Sequence, residues 1–121
     1  MKIAIVGASR NREKYSNKAV RAYKSKDHVV FPINPTEREI EGLKCYSDIS
    51  QVPLELDAAS IYLPPEIGIK VMPDLIKRKV KRIILNPGSE SKEIIMMLKQ
   101  SNQDHSLSCS IRDIGLDPEK I

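Results

Sequence analysis

The residues best suited to chemistry follow the first apolar run of the chain, Lys2 to Val6. Gly7 ends that run, and the loop after it carries a serine and several basic side chains. A glycine turn before a helix exposes backbone amides, which bind anions together with the positive end of the helix dipole. Arginine adds paired hydrogen bonds to phosphate oxygens. The loop therefore predicts a phosphate or diphosphate site, whose candidate residues are Gly7, Ala8, Ser9, Arg10, Asn11, Arg12 and Ser16.

The glycine pattern of this loop matches the dinucleotide fingerprint GxGxxG only in part. Gly7 holds the first position, whereas Ser9 and Arg12 replace the second and third glycines. The third glycine normally permits close packing of the helix on the strand. Without it, the helix is expected to begin late, near Ser16, where the serine can cap it. Taken alone, Gly7 could also simply form the turn between a strand and a helix.

A second candidate binding segment, Asn34 and Pro35, follows the next apolar run, 29–33. Sites for NAD normally place a carboxylate here to bind the ribose hydroxyls. An asparagine in that place disfavours NAD and favours a phosphorylated ribose or a different nucleotide. The alternative is an ordinary turn followed by a helical turn, with Thr36 and Glu39 at capping-box spacing.

Other reactive residue types give weaker signals. His28 and His105 each precede a predicted strand, at the edge of the sheet opposite the ligand crevice. Glu66 suits the start of a helix because of the helix dipole, and Cys109 suits apolar packing. The basic run 77–82 suits the carboxyl end of a helix. The sequence therefore predicts no catalytic residue, and its two cysteines form neither a metal motif nor a disulfide framework.

The elements that position these residues alternate between strand-like and helix-like patterns. Five apolar runs read as strands, at 2–6, 29–33, 58–63, 82–85 and 106–111. Between them lie helical patterns, in which apolar residues recur every three or four positions. The segment 42–46 could add a short edge strand. Strands that are apolar on both faces indicate a doubly wound, mostly parallel α/β sheet of five or six strands with helices on both faces.

Three helical stripes are expected to pack on this sheet. They comprise Ala19, Val20 and Tyr23; Ile67, Val71 and Leu75; and Ile94, Met97, Leu98 and Ser101. Pro73 falls inside the second helix, 66–79, and predicts a kink or a solvent-facing position. In such sheets ligands bind at the carboxyl ends of the strands, where the strand order reverses. That rule selects the loops that begin at Gly7, Asn34, Leu63 and Asn86, together with the region after Cys109.

Length and composition limit the number of domains and the classes of partner. A chain of 121 residues with 40% hydrophobic residues predicts one domain, 1–111, followed by a loosely held tail, 112–121. No apolar run approaches the roughly 20 residues that span a bilayer, and the first residues do not resemble a secretory signal. We therefore expect a cytoplasmic protein without a membrane partner. The net charge of +4 is spread among 16 acidic residues, which does not favour nucleic acid.

Five segments together carry a family resemblance, in order and at the right spacing. They are Val6-Gly7-Ala8-Ser9, Ile33-Asn34-Pro35, Gly42-Leu43-Lys44-Cys45-Tyr46, Ile61-Tyr62-Leu63-Pro64-Pro65-Glu66 and Leu85-Asn86-Pro87-Gly88-Ser89-Glu90-Ser91. The chain resembles the small stand-alone CoA-binding proteins, which are similar to the amino-terminal domain of the succinyl-CoA synthetase α subunit. The resemblance covers Lys2 to about Ile111.

The resemblance implies a Rossmann-like domain that binds coenzyme A or an acyl-CoA without catalysis, as a sensor or carrier. Gly7, Ala8, Ser9 and the loop through Arg12 would meet the phosphates. The adenosine would lie beside Asn34 and Pro35. The crevice would be lined by Leu63, Pro64, Pro65 and Gly88. The alternatives are a regulatory protein that binds NAD(P) or another nucleotide and a small reductase-like enzyme, and a homodimer or a protein partner stays open.

Overall fold

The computed structural model describes residues 1–121 and contains seven strands. They are β1 (Lys2–Val6), β2 (Val29–Ile33), β3 (Glu39–Ile40), β4 (Leu43–Lys44), β5 (Ala58–Ile61), β6 (Arg82–Leu85) and β7 (His105–Leu107). Five of them form one parallel sheet in the order β2-β1-β5-β6-β7. The expected parallel α/β sheet is confirmed, with five strands.

Helices cover both faces of this sheet. They are α1 (Tyr15–Ser25), α2 (Pro65–Lys77), α3 (Lys92–Gln100) and the single turn α4 (Ser110–Asp113), with 3₁₀ turns at Ile49–Gln51 and Pro118–Lys120. Helix α1 contacts α4, and α2 contacts α3. None of the helices is long and apolar enough to cross a membrane.

Alternation along β1 shows how the strands serve two cores. Ile3 and Ile5 pack in the apolar cluster that includes α1 and Ile111. Ala4 and Val6 pack in the other cluster, with the buried residues of α2 and α3. All four side chains are buried. A strand buried on both faces has no room for polar residues, which is why it reads as a continuous apolar run.

The strand order reverses direction beside β1. The chain passes from β1 to β2 on one side and later returns to place β5 on the other side. The amide of Tyr62 donates to the carbonyl of Val6 at 2.8 Å, so the β1–β5 pairing extends past the end of β5. The loops after β1 and β5 therefore diverge at the edge where doubly wound sheets bind ligands.

Helix α1 begins one residue earlier than expected. Its cap is Lys14, without a side-chain hydrogen bond, and Ser16 lies inside the first turn and is 5% exposed. Asn11 explains the difference, since it accepts hydrogen bonds from the amides of Glu13 and Lys14. That turn brings the chain into helical geometry before Ser16, so the prediction that Ser16 caps the helix is wrong. The expected stripe of Ala19, Val20 and Tyr23 is buried.

The buried stripe of α2 differs from the expected one. Ile67 is 50% exposed, and the buried positions are Gly68, Met72 and Leu75. A Cβ atom built on Gly68 would lie 3.5 Å from Ile94 of α3, so the glycine lies at the contact between the two helices. A buried glycine adds no apolar side chain to the helical pattern, so the sequence pattern does not reveal this contact. Pro73 is exposed, one of the two positions expected for it.

The segment after β2 forms a small hairpin rather than an edge strand of the main sheet. Strands β3 and β4 pair only with each other, antiparallel, so Glu39 lies in a strand and not in a capped helical turn. Tyr46 alone reaches β2, where its amide donates to the carbonyl of Pro32 at 2.9 Å. Pro32 itself has no backbone donor, and β2 is therefore an edge strand with limited pairing capacity.

The last segment also departs from expectation. Strand β7 ends at Leu107, and Ser110 to Asp113 turn into α4, which carries the fully buried Ile111. The tail beyond it is packed rather than loose. Pro118 is buried and its carbonyl accepts from Lys18 Nζ at 2.8 Å. The sequence of this segment looks polar because its few apolar residues, which include Ile111 and Pro118, do not form a continuous run.

We predict that Ile111→Ala lowers the free energy of unfolding by about 2–5 kcal/mol, because it leaves a cavity between α4 and α1. Leu107→Ala is the matched control, since Leu107 is 57% exposed and its truncation should cost no more than about 0.5 kcal/mol. Urea denaturation of both variants gives the comparison. A loss of no more than about 0.5 kcal/mol for Ile111→Ala would show that Ile111 contributes little to the core.

Candidate functional site

The corner after β1 is closed by the protein's own backbone. Gly7 has a φ of +88°, and a Cβ atom there would lie 2.5 Å from the carbonyl oxygen of Tyr62. The amides of Gly7 and Ala8 both donate to the carbonyl of Ile33 at 3.1 Å. Gly7 is thus required for the close approach of β1 and β5. The expectation that amides beside Gly7 face a ligand is wrong, because β2 already uses them.

Free backbone donors lie further along the loop. The amides of Ser9, Arg10 and Arg12 make no hydrogen bond within the protein, and neither do those of the first turn of α1, residues 15–17. Ser9 Oγ accepts from the amide of Asn11 at 3.0 Å, which leaves its hydroxyl proton available. The loop and the helix start therefore present unpaired donors together, as a phosphate site requires.

Asn17 holds this loop in place. It is fully buried, and its Nδ2 donates to the carbonyl of Ser9 at 2.8 Å and to Glu41 Oε2 at 3.1 Å. Its Oδ1 accepts from Arg21 Nε at 2.8 Å. Nothing in the sequence distinguishes Asn17 from a solvated polar residue on a helix, since its partners lie on other segments.

Asn34 acts as a clamp between two loops. Its Nδ2 donates to the carbonyl of Ala8 at 2.9 Å, while its Oδ1 accepts from the amides of Thr36 and Glu37. The side chain thus has an internal role at the end of β2, as the turn interpretation expected. The neighbouring Pro35 is exposed and remains available to a ligand.

A charged hollow lies between the loop after β1 and the β3–β4 hairpin, with a volume of about 630 Å³. Its lining is entirely polar and consists of Arg10, Arg12, Thr36, Glu37, Arg38, Glu39 and Glu41. Arg10 lies 3.6 Å from Glu37, and Arg12 lies 3.7 Å from Glu41. Both arginines are largely exposed, so these ion pairs are weak and an anion can replace the carboxylates.

The crevice between the ends of β5 and β6 forms a second part of the site, of about 270 Å³. It is lined by Leu63, Pro64 and Gly88, together with Pro87 and Ser89. Pro65, by contrast, is the first residue of α2. Gly88 has a φ of +93° with no atom within 4 Å of a Cβ position, so its backbone faces open space.

Buried polar residues join the ends of β5 and β6 to α4. Asn86 Nδ2 donates to Ser60 Oγ at 2.8 Å and to the carbonyl of Ile61 at 2.9 Å, and its Oδ1 accepts from the amide of Ser110 at 2.9 Å. Ser60 Oγ donates to Ser110 Oγ at 2.7 Å. Tyr62 OH lies 3.0 Å from the same serine oxygen. Sequence reasoning missed this network, because its members lie in three separate segments.

The tyrosines around Ser110 remain neutral over a wide pH range. Burial, which outweighs the hydrogen bond with Ser110, raises the pKa of Tyr62 to about 12. Burial also raises the pKa of Tyr23, whose OH donates to the carbonyl of Ser110 at 2.6 Å. These groups therefore act as hydrogen-bonding partners rather than as charges.

The remaining reactive side chains lie apart from this edge or stand alone. His28 Nδ1 pairs with the amino group of Met1 at 2.8 Å, and His105 Nδ1 lies 2.8 Å from the carbonyl of Gln103. Glu66 is in the first turn of α2 and exposed. Cys109 is a half-buried free thiol. No group of three or more His, Cys, Asp or Glu side chains is placed to hold a metal ion.

Comparison with known proteins decides the family. A sequence model described as a CoA binding domain matches residues 1–109. The chain belongs to this CoA-binding family. The resemblance drawn from the five sequence segments is therefore confirmed, and the CoA binding domain occupies nearly the whole chain.

Curated relatives of the domain are much longer proteins. An ADP-forming acetate–CoA ligase of Methanocaldococcus jannaschii is 29% identical over 113 residues, which are 93% of this chain and 16% of the ligase. A second such ligase, from Archaeoglobus fulgidus, is 31% identical over 75% of this chain and 14% of its own length. The chain thus spans less than a fifth of these relatives.

Solved structures include proteins of similar size and larger ones. A conserved hypothetical protein from Pyrococcus furiosus matches with a TM-score of 0.86 and 36% identity, over 93% of this chain and 97% of that one. The dinucleotide-forming acetyl-coenzyme A synthetase 1 of Ca. Korarchaeum cryptofilum matches with a TM-score of 0.78 and 31% identity. That match covers 88% of this chain and 25% of the synthetase. The CoA-binding fold therefore occurs both alone and within larger enzymes.

We predict that Gly7→Ala destabilises the protein in the absence of any ligand, since the new Cβ meets the Tyr62 carbonyl. Gly115→Ala is the matched control, because Gly115 also has a positive φ, +79°, but nothing lies within 4 Å of its Cβ position. Both variants suffer backbone strain, and Gly7→Ala should lose about 1–3 kcal/mol more of unfolding free energy from overpacking. Equal losses in urea denaturation would contradict the close contact.

We predict a pH-dependent effect of Tyr62→Phe. At pH 7 the variant should be less stable by about 1 kcal/mol, because it lacks the hydrogen bond with Ser110. The raised pKa of Tyr62 in the folded state contributes stability that is complete below the unfolded value of about 10 and is lost as pH rises towards about 12. The difference between wild type and variant should therefore shrink between about pH 10 and 12. A constant difference in denaturation experiments would contradict this assignment.

Proposed function

We propose that the protein binds coenzyme A across the carboxyl edge of its sheet, and that it does so without catalysing a reaction by itself. The observation that carries this proposal is the group of unpaired amides at Ser9, Arg10, Arg12 and the start of α1. They lie beside the charged hollow in a chain that belongs to a CoA-binding family. Family membership alone would not indicate which residues of this chain bind the ligand.

The residues at the start of α1 fit a phosphate group. Ser16 is 5% exposed, yet its hydroxyl has no partner among the protein's hydrogen bonds. Since no fully buried side-chain oxygen or nitrogen lacks a partner, this hydroxyl keeps contact with the outside. It lies in the same helical turn as the unpaired amides. We assign to Ser9, Arg10, Arg12 and Ser16 the binding of the diphosphate, through amides, hydroxyls and guanidinium groups.

The strand order supports a direction for the ligand. The charged hollow lies at the β2 and β1 ends of the edge, and the crevice lies at the β5 and β6 ends. Adjacent strands are about 4.8 Å apart, so the edge from β2 to β7 is about 19 Å long. A long linear cofactor suits such an edge. We assign the adenosine side to Pro35 and the hollow, and the pantetheine to the crevice with Leu63, Pro64 and Gly88.

The assigned roles explain how the protein would bind coenzyme A without reacting with it. Coenzyme A supplies a thiol that carries acyl groups as thioesters. The exposed arginines would exchange their contacts with Glu37 and Glu41 for the phosphates at little cost, because separations of 3.6 and 3.7 Å make these ion pairs weak. The histidines lie at the opposite edge, and no base is paired with Cys109 or Glu66. Such a chain would act as a carrier or as a sensor of CoA.

We predict that CoA stabilises the protein against heat, whereas NAD and NADP do not. A ligand at 100 times its dissociation constant adds about 2.7 kcal/mol to the free energy of unfolding. Arg12→Gln should weaken CoA binding by about tenfold, since a charge-assisted hydrogen bond is lost. Arg82→Gln is the matched control, because Arg82 pairs with Asp104 at the start of β6; it should change the affinity by less than about twofold.

Thermal denaturation of the wild-type protein with each cofactor measures the stabilisation, and calorimetric titration of the three proteins with CoA measures the affinities. Stabilisation by NADP without a response to CoA would overturn the proposal. Equal losses in the two arginine variants would place the phosphates elsewhere. Native mass spectrometry with and without CoA would show whether loading changes the number of copies in a particle, as expected of a sensor that signals through association.

A further inference from the structure

The turn between β3 and β4 holds a glutamate in a left-handed backbone conformation. Glu41 has a φ of +51° and Gly42 a φ of +76°, and these two residues connect the paired Ile40 and Leu43. A two-residue loop with positive φ at both positions is a type I′ turn, whose first position favours asparagine, aspartate or glycine. A glutamate there is strained, so its other contacts must offset the strain.

Glu41 differs from the other non-glycine residues that have a positive φ. Each of those lies two positions beyond the last residue of α1, α2 or α3, where a left-handed residue commonly ends a helix. They are Asp27, Lys79 and Asn102. The hairpin turn explains the conformation of Glu41 but not the presence of a glutamate side chain.

The contacts of Glu41 all reach helix α1 and the loop before it. Its Oε2 accepts from Nδ2 of the buried Asn17 at 3.1 Å and lies 3.7 Å from Arg12 Nε. Its carbonyl accepts from Lys24 Nζ at 2.8 Å. The side chain is only 21% exposed. The strained residue thus connects the hairpin turn to α1.

The contact with Asn17 reaches the proposed phosphate loop through one peptide unit. Asn17 Nδ2 also donates to the carbonyl of Ser9 at 2.8 Å, and its Oδ1 accepts from Arg21 Nε at 2.8 Å. The carbonyl of Ser9 and the amide of Arg10 belong to the same planar trans peptide and point in opposite directions. Holding the carbonyl therefore fixes the direction of the Arg10 amide, which has no partner within the protein.

Electrostatics alone would give Glu41 the opposite effect on an anionic ligand. Its carboxylate repels a phosphate and competes for Arg12, so its removal should strengthen binding. If Glu41 instead holds the loop in its binding geometry, its removal should weaken binding. The sign of the change in affinity therefore distinguishes the two roles.

We propose that Glu41 is a positioning residue of the phosphate site, which acts through Asn17 to direct the Arg10 amide towards the ligand. This inference rests on the proposed CoA binding. Glu41 itself does not contact the phosphates. It completes the hydrogen bonds of the Asn17 amide, whose nitrogen and oxygen are then held in one orientation. The loop is thereby preorganised before the ligand binds.

Glu41→Asn tests this role by calorimetric titration with CoA and by urea denaturation. The variant has the Asn-Gly pair that type I′ turns favour, and its side chain is one methylene too short to keep the bond with Asn17. We expect about tenfold weaker CoA binding, because a hydrogen bond to a charged group is lost. The urea midpoint should stay close to that of the wild type, because relief of the backbone strain offsets the lost bond. A merely structural role would lower both.

Two controls separate positioning from charge. Glu41→Gln keeps a side-chain oxygen that accepts from Asn17 and loses the charge, so it should bind CoA at least as tightly as the wild type. Glu39→Gln removes a carboxylate from an exposed position in the same hollow. It should strengthen CoA binding by up to about twofold, because only repulsion is reduced.

The route through Asn17 is tested by combining Glu41→Asn with Asn17→Ala. Once Asn17 is truncated, the second substitution should not weaken CoA binding further. Effects that multiply would show that the two residues act independently and would overturn the route. If Asn17→Ala does not fold, the comparison of Glu41→Asn with Glu41→Gln decides the proposal.

The outcomes keep this inference distinct from the proposed function. If the wild type binds CoA and Glu41→Asn binds it as tightly or more tightly, the positioning role is overturned while CoA binding stands. The same conclusion follows if Glu41→Gln loses as much affinity as Glu41→Asn, or if the urea midpoint of Glu41→Asn falls together with its affinity. If the wild type does not bind CoA, the proposed function is overturned and the positioning role falls with it.

Discussion

The candidate binding edge of the sheet depends on the hydrogen bonds of the Asn86 side-chain amide. This amide satisfies a carbonyl of β5, a hydroxyl of β5 and the first amide of α4 at once. Each such bond contributes only about 1 kcal/mol net, but a buried polar group left without a partner costs about 1–3 kcal/mol. The three segments must therefore keep their relative positions. Asn86 also lines the crevice, so the shape of the crevice depends in part on this side chain.

The other half of the edge is held by side-chain hydrogen bonds to the loop after β1 and by ion pairs. Asn34 and Asn17 fix the two sides of the loop after β1 through hydrogen bonds to the carbonyls of Ala8 and Ser9. The ion pairs in the charged hollow are exposed and easily screened by salt. The site thus combines a rigid backbone with replaceable counterions. An anionic ligand would gain fixed donors and compete with the carboxylates for the exposed arginines, while Glu41 keeps its hydrogen bond with the buried Asn17.

Much of the fold could be predicted from the sequence, because buried parallel strands read as apolar runs and the helices between them show helical spacing. The location of the site follows as well, since the carboxyl ends of such strands meet at one edge. What could not be predicted depends on contacts between distant segments. The amides of Gly7 and Ala8 bond to Ile33, and Gly68 makes a helix contact without a side chain. The packed tail relies on isolated residues such as the buried Pro118.

The two borders of the sheet differ in how they resist unwanted pairing with other chains. On one border, Pro32 removes a donor from β2, and Tyr46 occupies the backbone positions beside it. A foreign strand would find little to bind there. On the opposite border, β7 offers only three residues, which is too short a template for amyloid-like growth. Neither border of the parallel sheet therefore offers a long free strand to another chain.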